Sequence, residues 1–504
     1  MTTDTSFDAR TGAAVEQLPA SDAAEVAASL TAARAAAAAV AAAPPAVRAG
    51  WLRAVADALQ VEDTAARLVA AADRETGLGL PRLTGELARG AHQLRFYADV
   101  AVEGSWLAAT LDHATATTPD LRRLQVPLGP VAVLGASNFP FGFGVLGNDT
   151  GSALAAGCPV LAKAHPAHPV TSRLLGEVAS SALAEAGAPP GAFALLSGFE
   201  AGSSLVTAPE VAAVAFTGSQ HGGLALWRLA QDREVPIPVF AEMGTINPAV
   251  MTSAATGRAE EVAAGFVASF TLGMGQFCTK PGLLLVPAGH DLPARLAEAL
   301  TAAAPEGWLL TSGIASSFAA GVEELVAEGA RTLARVPAPE EGWAAAATLL
   351  EVPSAGLRAG SRLLEECFGP VALVAEYADR AELDAVLGAL QGALAGSVQS
   401  GGAEDPEVPG LVAALGERVG RVMVDDWPTG VAFTWAQQHG GPWPATTVAS
   451  ATSVGAGALD RFTRPVAWQS VPGSALPPAL RDDNPWGLPR RVDGVLVPTP
   501  GAAS

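Results

Sequence analysis

From Leu124 onward, short apolar runs alternate with helical stretches, and that alternation leaves few folds open. Parallel strands must be joined by crossovers of a dozen or more residues, usually helices. The spacing predicts strands at Val131–Gly135, Val160–Lys163, Ala194–Ser197, Ala213–Thr217 and Pro238–Glu242, with helices near Phe143–Ala156, Ser172–Ala186 and Gly222–Gln231. A second series starts at Pro248, with strand Ala249–Met251, helix Arg258–Leu272, strand Gly282–Val286 and helix Leu292–Ala303, and recurs weakly to about Asp426. Ser21 to Val100 has helical periodicity, while Gly104 to Pro119 reads as a loop or extended segment. The Gly-, Pro- and Trp-rich stretch from Pro428 to Ser504 reads as ordered loops with edge strands. The chain is therefore expected to be α/β, with two strand-helix units meeting near Gly244–Pro248.

A length of 504 residues accommodates roughly three domains. Thirty basic against 50 acidic residues give a net charge of −20, which disfavours nucleic acid or an anionic membrane as partner. Cys158, Cys278 and Cys367 are too few and too scattered for a disulfide framework or a zinc site, so no metal is expected. The N-terminus has no basic stretch leading into an apolar core, and the alanine run from Ala32 to Ala43 is interrupted by Arg34. A cytoplasmic protein is expected. Only two lysines occur, Lys163 and Lys280.

Gly142-Phe-Gly144-Val-Leu-Gly147 matches the dinucleotide fingerprint GxGxxG. A true fingerprint needs an acid about 20 residues on to hold ribose hydroxyls. The next strand ends instead in Lys163, so these glycines read as helix-packing residues. Lys163 itself stands at a strand's carboxyl end, where open α/β sheets bind ligands, and its ammonium suits ribose hydroxyls or a 2′-phosphate. Thr217-Gly218-Ser219 runs into a helix that reaches Gly223, a turn whose backbone N–H groups suit a phosphate.

Cys278 sits in Gly275-Gln-Phe-Cys278-Thr279, between a predicted helix and a strand, in surroundings unlike those of a core cysteine. Glu242 ends an apolar strand and is either a structural acid or a base with a raised pKa. Asn138, in Ser137-Asn-Phe139-Pro140-Phe141, serves a turn or offers its amide to an oxyanion. Glu366 precedes the turn Cys367-Phe368-Gly369-Pro370.

In this order these motifs resemble the aldehyde dehydrogenase superfamily over nearly the whole chain, from about Ala24 to Gly494. Within it the chain is similar to the 2-oxoglutarate semialdehyde (2,5-dioxovalerate) dehydrogenase branch, which also contains NADP-dependent long-chain aldehyde enzymes. Further carriers are Lys163-Ala-His165-Pro-Ala-His168-Pro, Glu242-Met-Gly-Thr-Ile-Asn-Pro248, Pro428-Thr-Gly430, His439-Gly-Gly-Pro442 and Thr452-Ser-Val-Gly455 with Asp460-Arg-Phe462. The resemblance implies a Rossmann-like cofactor domain (1–118 and 129–244), a second α/β catalytic domain (245–462) and oligomerisation segments (119–128 and 463–504) of a homodimer or homotetramer. It implies a Cys278 thiolate that attacks an aldehyde, Asn138 and the Cys278 N–H holding the oxyanion, and Glu242 activating water against the thioester. NADP or NAD would be held by Lys163, Gly218, Ser219 and Gly223, with Glu366 and Phe368 at the nicotinamide ribose. Phe139, Phe141, Trp435 and Trp443 would form an aromatic funnel for the substrate.

Two positions depart from the family pattern. Pro166 stands where many NAD-preferring members carry a Glu, so NADP should be accepted. Thr245 replaces a second glycine after the general base. Arg122, Arg123, Arg173 and Arg464 are the cations considered for a substrate carboxylate. Rival readings are oxidation of medium or long-chain aliphatic aldehydes, a CoA-acylating enzyme that would lack the Glu242 base, a conventional Rossmann hydride-transfer enzyme, and a non-catalytic protein retaining the fold.

Overall fold

The computed structural model describes residues 3–499. It opens with a hairpin, β1 (Thr3–Phe7) and β2 (Ala14–Pro19), in a stretch for which the sequence suggested no element. Four helices follow, α1 (Ala23–Ala42), α2 (Pro45–Leu59), α3 (Glu62–Thr76) and α4 (Leu80–Glu103). Asp22 caps α1 by accepting from the Glu25 N–H, and Pro45 starts α2 where its missing N–H is harmless. Gly77, at φ +65°, ends α3 in the left-handed conformation that glycine adopts without a Cβ clash. By length and composition α1 is apolar enough to cross a membrane. In the fold its Val26, Leu30 and Ala33 are buried in the core beneath the first large sheet.

After β3 (Thr110–Asp112) and β4 (Leu121–Pro127), the expected alternation begins. It runs β5 (Val131–Leu134), α5 (Asn148–Ala156), β6 (Val160–Lys163), α6 (Pro169–Glu185), β7 (Phe193–Leu196), α7 (Phe199–Thr207), β8 (Ala213–Gly218), α8 (Gln220–Gln231) and β9 (Val239–Met243). The five strands lie in the order β7-β6-β5-β8-β9, all parallel. Their order reverses around β5, the kind of switch point where such sheets bind ligands. Helix α5 starts at Asn148, later than predicted. The preceding segment is a tight turn, in which a Cβ on Gly144 would lie 2.2 Å from the Pro140 carbonyl oxygen. Gly144 and Gly147 therefore serve close packing within this turn rather than in a helix, and a Cβ on Gly142 would meet only Glu86 at 3.9 Å.

The second series comprises β10 (Pro248–Met251), α9 (Ala259–Thr271), β11 (Leu283–Pro287), α10 (Leu292–Ala303), α11 (Ser312–Ala327), β12 (Arg331–Val336), β13 (Ala347–Glu351), β14 (Val371–Tyr377), α12 (Arg380–Ala389), β15 (Ala393–Gln399), α13 (Val408–Gly416) and β16 (Val419–Val424). Its sheet has the order β12-β13-β14-β11-β10-β15-β16, with only β12 antiparallel to its neighbour. Leu283 to Val286 are fully buried, as expected for a central strand covered on both faces. A third sheet joins β17 (Thr463–Gln469), β4, β3, β18 (Arg490–Val492) and β19 (Val495–Val497) in that order. It draws Thr110–Asp112 out of the segment that the sequence assigned to the first unit.

The two large sheets meet through the segment between α9 and β11, which carries Cys278. The chain after Pro428 then folds back against β9. Thr446 bridges Glu242, and the Met243 N–H donates to the Ala445 carbonyl at 2.9 Å. That return brings residues 439–453 onto the carboxyl end of β9.

Candidate active site

Lys163 ends β6, Gly218 ends β8 and Glu242 lies near the end of β9, so parallel pairing alone places all three at one edge. A cavity of about 930 Å³ follows that edge from Lys163, His165, Gly218 and Ser219 to Asn138, Glu242, Cys278, Glu366 and Phe368. The volume is at the upper end for small-molecule and cofactor sites. At one end Ser219 caps α8, its Oγ accepting from the Gly222 N–H at 3.2 Å. Burial lowers the Lys163 ammonium pKa, with Asp4 opposing. His165 stacks on His168 at 5.2 Å, and burial drives both imidazoles towards neutrality, His168 to about 4.

At the other end, Cys278 Sγ lies 3.5 Å from His439 Nε2, which is 2.9 Å from Glu242 Oε1. Their three ligand atoms all lie within 4.8 Å of one another. Ser453 donates a short hydrogen bond to the other Glu242 oxygen. Burial alone would push the Glu242 carboxyl up. The His439 charge and hydrogen bond, the Ser453 hydroxyl and the more distant Arg461 outweigh it and hold the group below the ordinary carboxylate range. The sequence had offered a raised pKa for a base here; the neighbours reverse the direction. The Cys278 thiol is raised well above its ordinary value by burial and then by Glu242 and Glu366, with the Thr279 N–H and Arg421 opposing.

Asn138 is buried and donates through Nδ2 to the Gln276 carbonyl at 2.8 Å, which fixes its amide beside the cysteine segment. An amide has two N–H donors, and one remains for a ligand oxygen. The Cys278 carbonyl accepts from Asn247 Nδ2 at 2.8 Å, and Asn247 Oδ1 accepts from Thr245 Oγ1 at 3.0 Å. Thr245 therefore ties the turn after Glu242 to the segment that carries Cys278. Glu366 packs against Gly244 so closely that a Cβ there would fall 1.9 Å from Glu366 Oε2. Burial pushes the Glu366 carboxyl up to about 7 against the opposing charges of Lys280 and Arg362. Its Oε1 is buried without a partner.

Several expected positions fall elsewhere. Gly223 does not line the cavity. It lies against β9, where a Cβ would meet Met243 Sδ at 2.6 Å, so it lets α8 approach the sheet. Phe141 is 2% exposed within the core, and its N–H donates to Glu86 at 2.9 Å. Trp443 is half exposed against Trp227 of α8, and Trp435 is half exposed edge-on to Phe96 of α4. Hydrophobic periodicity cannot tell a funnel wall from a core or surface ring. Of the four aromatics only Phe139 lies near the chemistry, edge-on to Phe277 at 5.0 Å.

The chain also matches known proteins. Residues 2–442 match the model of the "Aldehyde dehydrogenase family". The chain belongs to that family. It is 44% identical over 462 residues to alpha-ketoglutaric semialdehyde dehydrogenase 2 of Azospirillum brasilense, covering 90% of this chain and 88% of that one. It is 40% identical over 451 residues to alpha-ketoglutaric semialdehyde dehydrogenase of Acinetobacter baylyi, covering 87% and 86%. Its fold superposes on the crystal structure of an NAD-dependent aldehyde dehydrogenase from Sinorhizobium meliloti with TM-score 0.79 at 23% identity, over 93% of this chain and 91% of that one. This aldehyde dehydrogenase is thus an oxidoreductase with the α/β architecture that its sequence implied.

Sequence reasoning missed His439 and Ser453 as site residues, although His439-Gly-Gly-Pro442 stood among the resemblance motifs. The signal was a histidine beside two glycines, whose Cβ atoms would clash at 2.7 and 2.3 Å with the Ala451 and Ala393 carbonyl oxygens. A chain packed that tightly holds its neighbouring imidazole in one place.

Proposed function

We propose that this enzyme oxidises 2-oxoglutarate semialdehyde to 2-oxoglutarate with NAD(P), through a thioester on Cys278. The observation that carries the reading is the Cys278–His439–Glu242 cluster at the end of a cofactor-sized cavity. The two relatives named for this substrate supply its identity.

The neutral imidazole of His439, its Nε2 turned to the sulfur at 3.5 Å, accepts the Cys278 proton as the sulfur attacks the aldehyde carbon, since the thiolate is the nucleophile, and the imidazolium so formed then pairs with Glu242. The free Asn138 N–H and the Cys278 backbone N–H hold the developing oxyanion, and the loss of one such donor typically costs about 10²–10³ in rate. Glu366 and Phe368 would hold the nicotinamide ribose of a bound cofactor, whose ring would supply the hydride acceptor. Lys163, Gly218 and Ser219 would hold its adenosine and pyrophosphate portions. Glu242, ionised and oriented by His439 and Ser453, takes the proton of the water that hydrolyses the thioester. A buried carboxylate in that place supports hydrolysis over transfer of the acyl group to CoA.

In this reading the first sheet serves the cofactor and the second carries the nucleophile. The third joins subunits of a cytoplasmic homo-oligomer through its exposed edge, Val495-Leu496-Val497. Following NAD(P)H formation with the semialdehyde, medium-chain aldehydes and CoA tests the assignment. Cys278→Ala should abolish turnover while cofactor binding persists, and Glu242→Gln should give a burst and then stall. Full turnover by Cys278→Ala, or acyl-CoA as the product, would end it.

A further inference from the structure

Cys278, His439 and Glu242 come from three separate parts of the chain: the segment between α9 and β11, the return after Pro428, and the end of β9. Their donor atoms, one sulfur, one nitrogen and one oxygen, all lie within 4.8 Å of one another. Among the described residues no other three such donors meet so closely. The scatter of the three cysteines spoke against a zinc site in the sequence, but one thiol is enough where a histidine and a carboxylate complete the set.

The spacing matches what such an ion requires. Zinc lies about 2.3 Å from sulfur and about 2.0 Å from nitrogen or oxygen, so tetrahedral angles put sulfur and nitrogen about 3.5 Å apart and nitrogen and oxygen about 3.3 Å apart. Cys278 Sγ and His439 Nε2 are separated by 3.5 Å, and His439 Nε2 and Glu242 Oε1 by 2.9 Å. The remaining edge, sulfur to oxygen, has to close by no more than about 1.3 Å. Glu242 Oε1 is buried, and its contact with the imidazole lacks the angle of a well-made hydrogen bond. Ser453 holds the other oxygen of that carboxylate, which leaves Oε1 as its free corner.

Charge and access agree with the spacing. A thiolate and a carboxylate beside a neutral imidazole sum to −2, which a divalent ion cancels, and a neutral cluster costs far less to bury than two anions. Thiolate and imidazole select zinc over magnesium or calcium, which take oxygen ligands. Cys278 and Glu242 line the large cavity, so an ion has a way in, and the fourth position is left for water.

We propose that Cys278, His439 and Glu242 bind Zn²⁺ and that the bound ion holds the enzyme in a reversible inactive state. Binding forms Zn–S, Zn–N and Zn–O bonds while the thiol proton leaves to solvent, and no electrons change hands. The sulfur is then closed to the aldehyde, the imidazole to the thiol proton and the carboxylate to water. The site needs this arrangement and no particular aldehyde, so it stands or falls apart from the substrate reading.

The test follows alkylation of Cys278 by iodoacetamide, read by peptide mass, in chelator-treated, cofactor-free enzyme titrated with ZnCl₂ or MgCl₂. Aldehyde oxidation is assayed on the same samples before and after EDTA. Zinc should block alkylation and oxidation together at one ion per chain, EDTA should restore both, and Mg²⁺ should do neither. In His439→Phe and Glu242→Gln, each scored against its own metal-free rate, half-protection should need at least about 10–100-fold more zinc, since loss of even an outer partner of a metal ligand costs that much. Co²⁺ on the wild type, a measurement that needs no variant to fold, should show a thiolate-to-cobalt charge-transfer band. Equal zinc dependence in all three proteins, equal protection by Mg²⁺, or cobalt binding without that band would each overturn the site.

Discussion

His439 Nε2 stands between a thiol and a carboxylate, 3.5 Å from Cys278 Sγ and 2.9 Å from Glu242 Oε1. The thiol is held protonated by burial and by two nearby acids, so attack requires a base in contact with the sulfur. His439 is that contact. Replacing it by Phe removes the base and leaves Glu242 with Ser453 alone. Such a variant should lose about 10²–10³ in kcat and alkylate more slowly at Cys278 with iodoacetamide, at unchanged cofactor affinity. An unaltered alkylation rate would take His439 out of thiol activation.

Glu366 makes stability depend on pH. Burial raises its carboxyl from 4.5 to about 7 in the fold. A carboxyl whose folded value exceeds its unfolded one adds stability that is complete below the unfolded value and lost as pH rises through the folded one. The cofactor-free wild type should therefore lose stability relative to Glu366→Gln between those two values and run parallel to it above. Part of the side chain faces the cavity, so the change expected is about 2 kcal/mol rather than the full equivalent of the shift. Thermal melts of both proteins across this range read it directly. Parallel curves throughout would mean that the carboxyl is not held up by burial.

How far the sequence could reach is visible in these same residues. The strand ends that place Lys163, Gly218 and Glu242 follow from apolar runs and parallel pairing, both local signals, and the predicted strands agree with the fold within about two residues. Asn138 and Cys278 were legible as non-core residues in non-core surroundings. His439 and Ser453 were not, because they reach Glu242 only through the return of residues 439–453 onto β9. That stretch has no periodicity, and its course is set by bridges such as Thr446 to Glu242. Phe141, Trp435 and Trp443 fell away from the site for a related reason. Ring size and apolarity are the same in a core, on a surface and in a funnel, and only packing separates Phe141 from Phe139.

Lys280 was noticed for its rarity, and its role became visible only in the fold. Its fully buried ammonium holds three carbonyls of the segment that bears Glu366 and Phe368 while its own backbone follows the nucleophile by two residues. The side chain therefore ties the Cys278 segment to the segment that bears Glu366. Lys280→Met keeps the bulk but leaves those carbonyls unpaired. It should destabilise the protein by about 2–4 kcal/mol and raise KM for NAD(P) more than it lowers kcat. Melting temperature and initial-rate kinetics check both, and an unchanged cofactor KM would confine Lys280 to folding.

Cofactor choice turns on the other end of the cavity. Glu242 and Glu366 are the only acids among its lining residues, and both lie at the Cys278 end, whereas Lys163, His165, Pro166 and His221 line the opposite end. A 2′-phosphate placed near Lys163 meets an ammonium and no lining carboxylate, so NADP should be used with kcat/KM equal to or above that for NAD. Pro166→Glu would set a carboxylate against that phosphate, and like charges held together cost several kcal/mol. The variant should lose at least about 10-fold in kcat/KM for NADP and little for NAD. Because the change is remote from Cys278, acylation chemistry with saturating NAD serves as the internal control. Equal losses with both cofactors would show that the substitution disturbs the turn after β6 rather than the discrimination it carries.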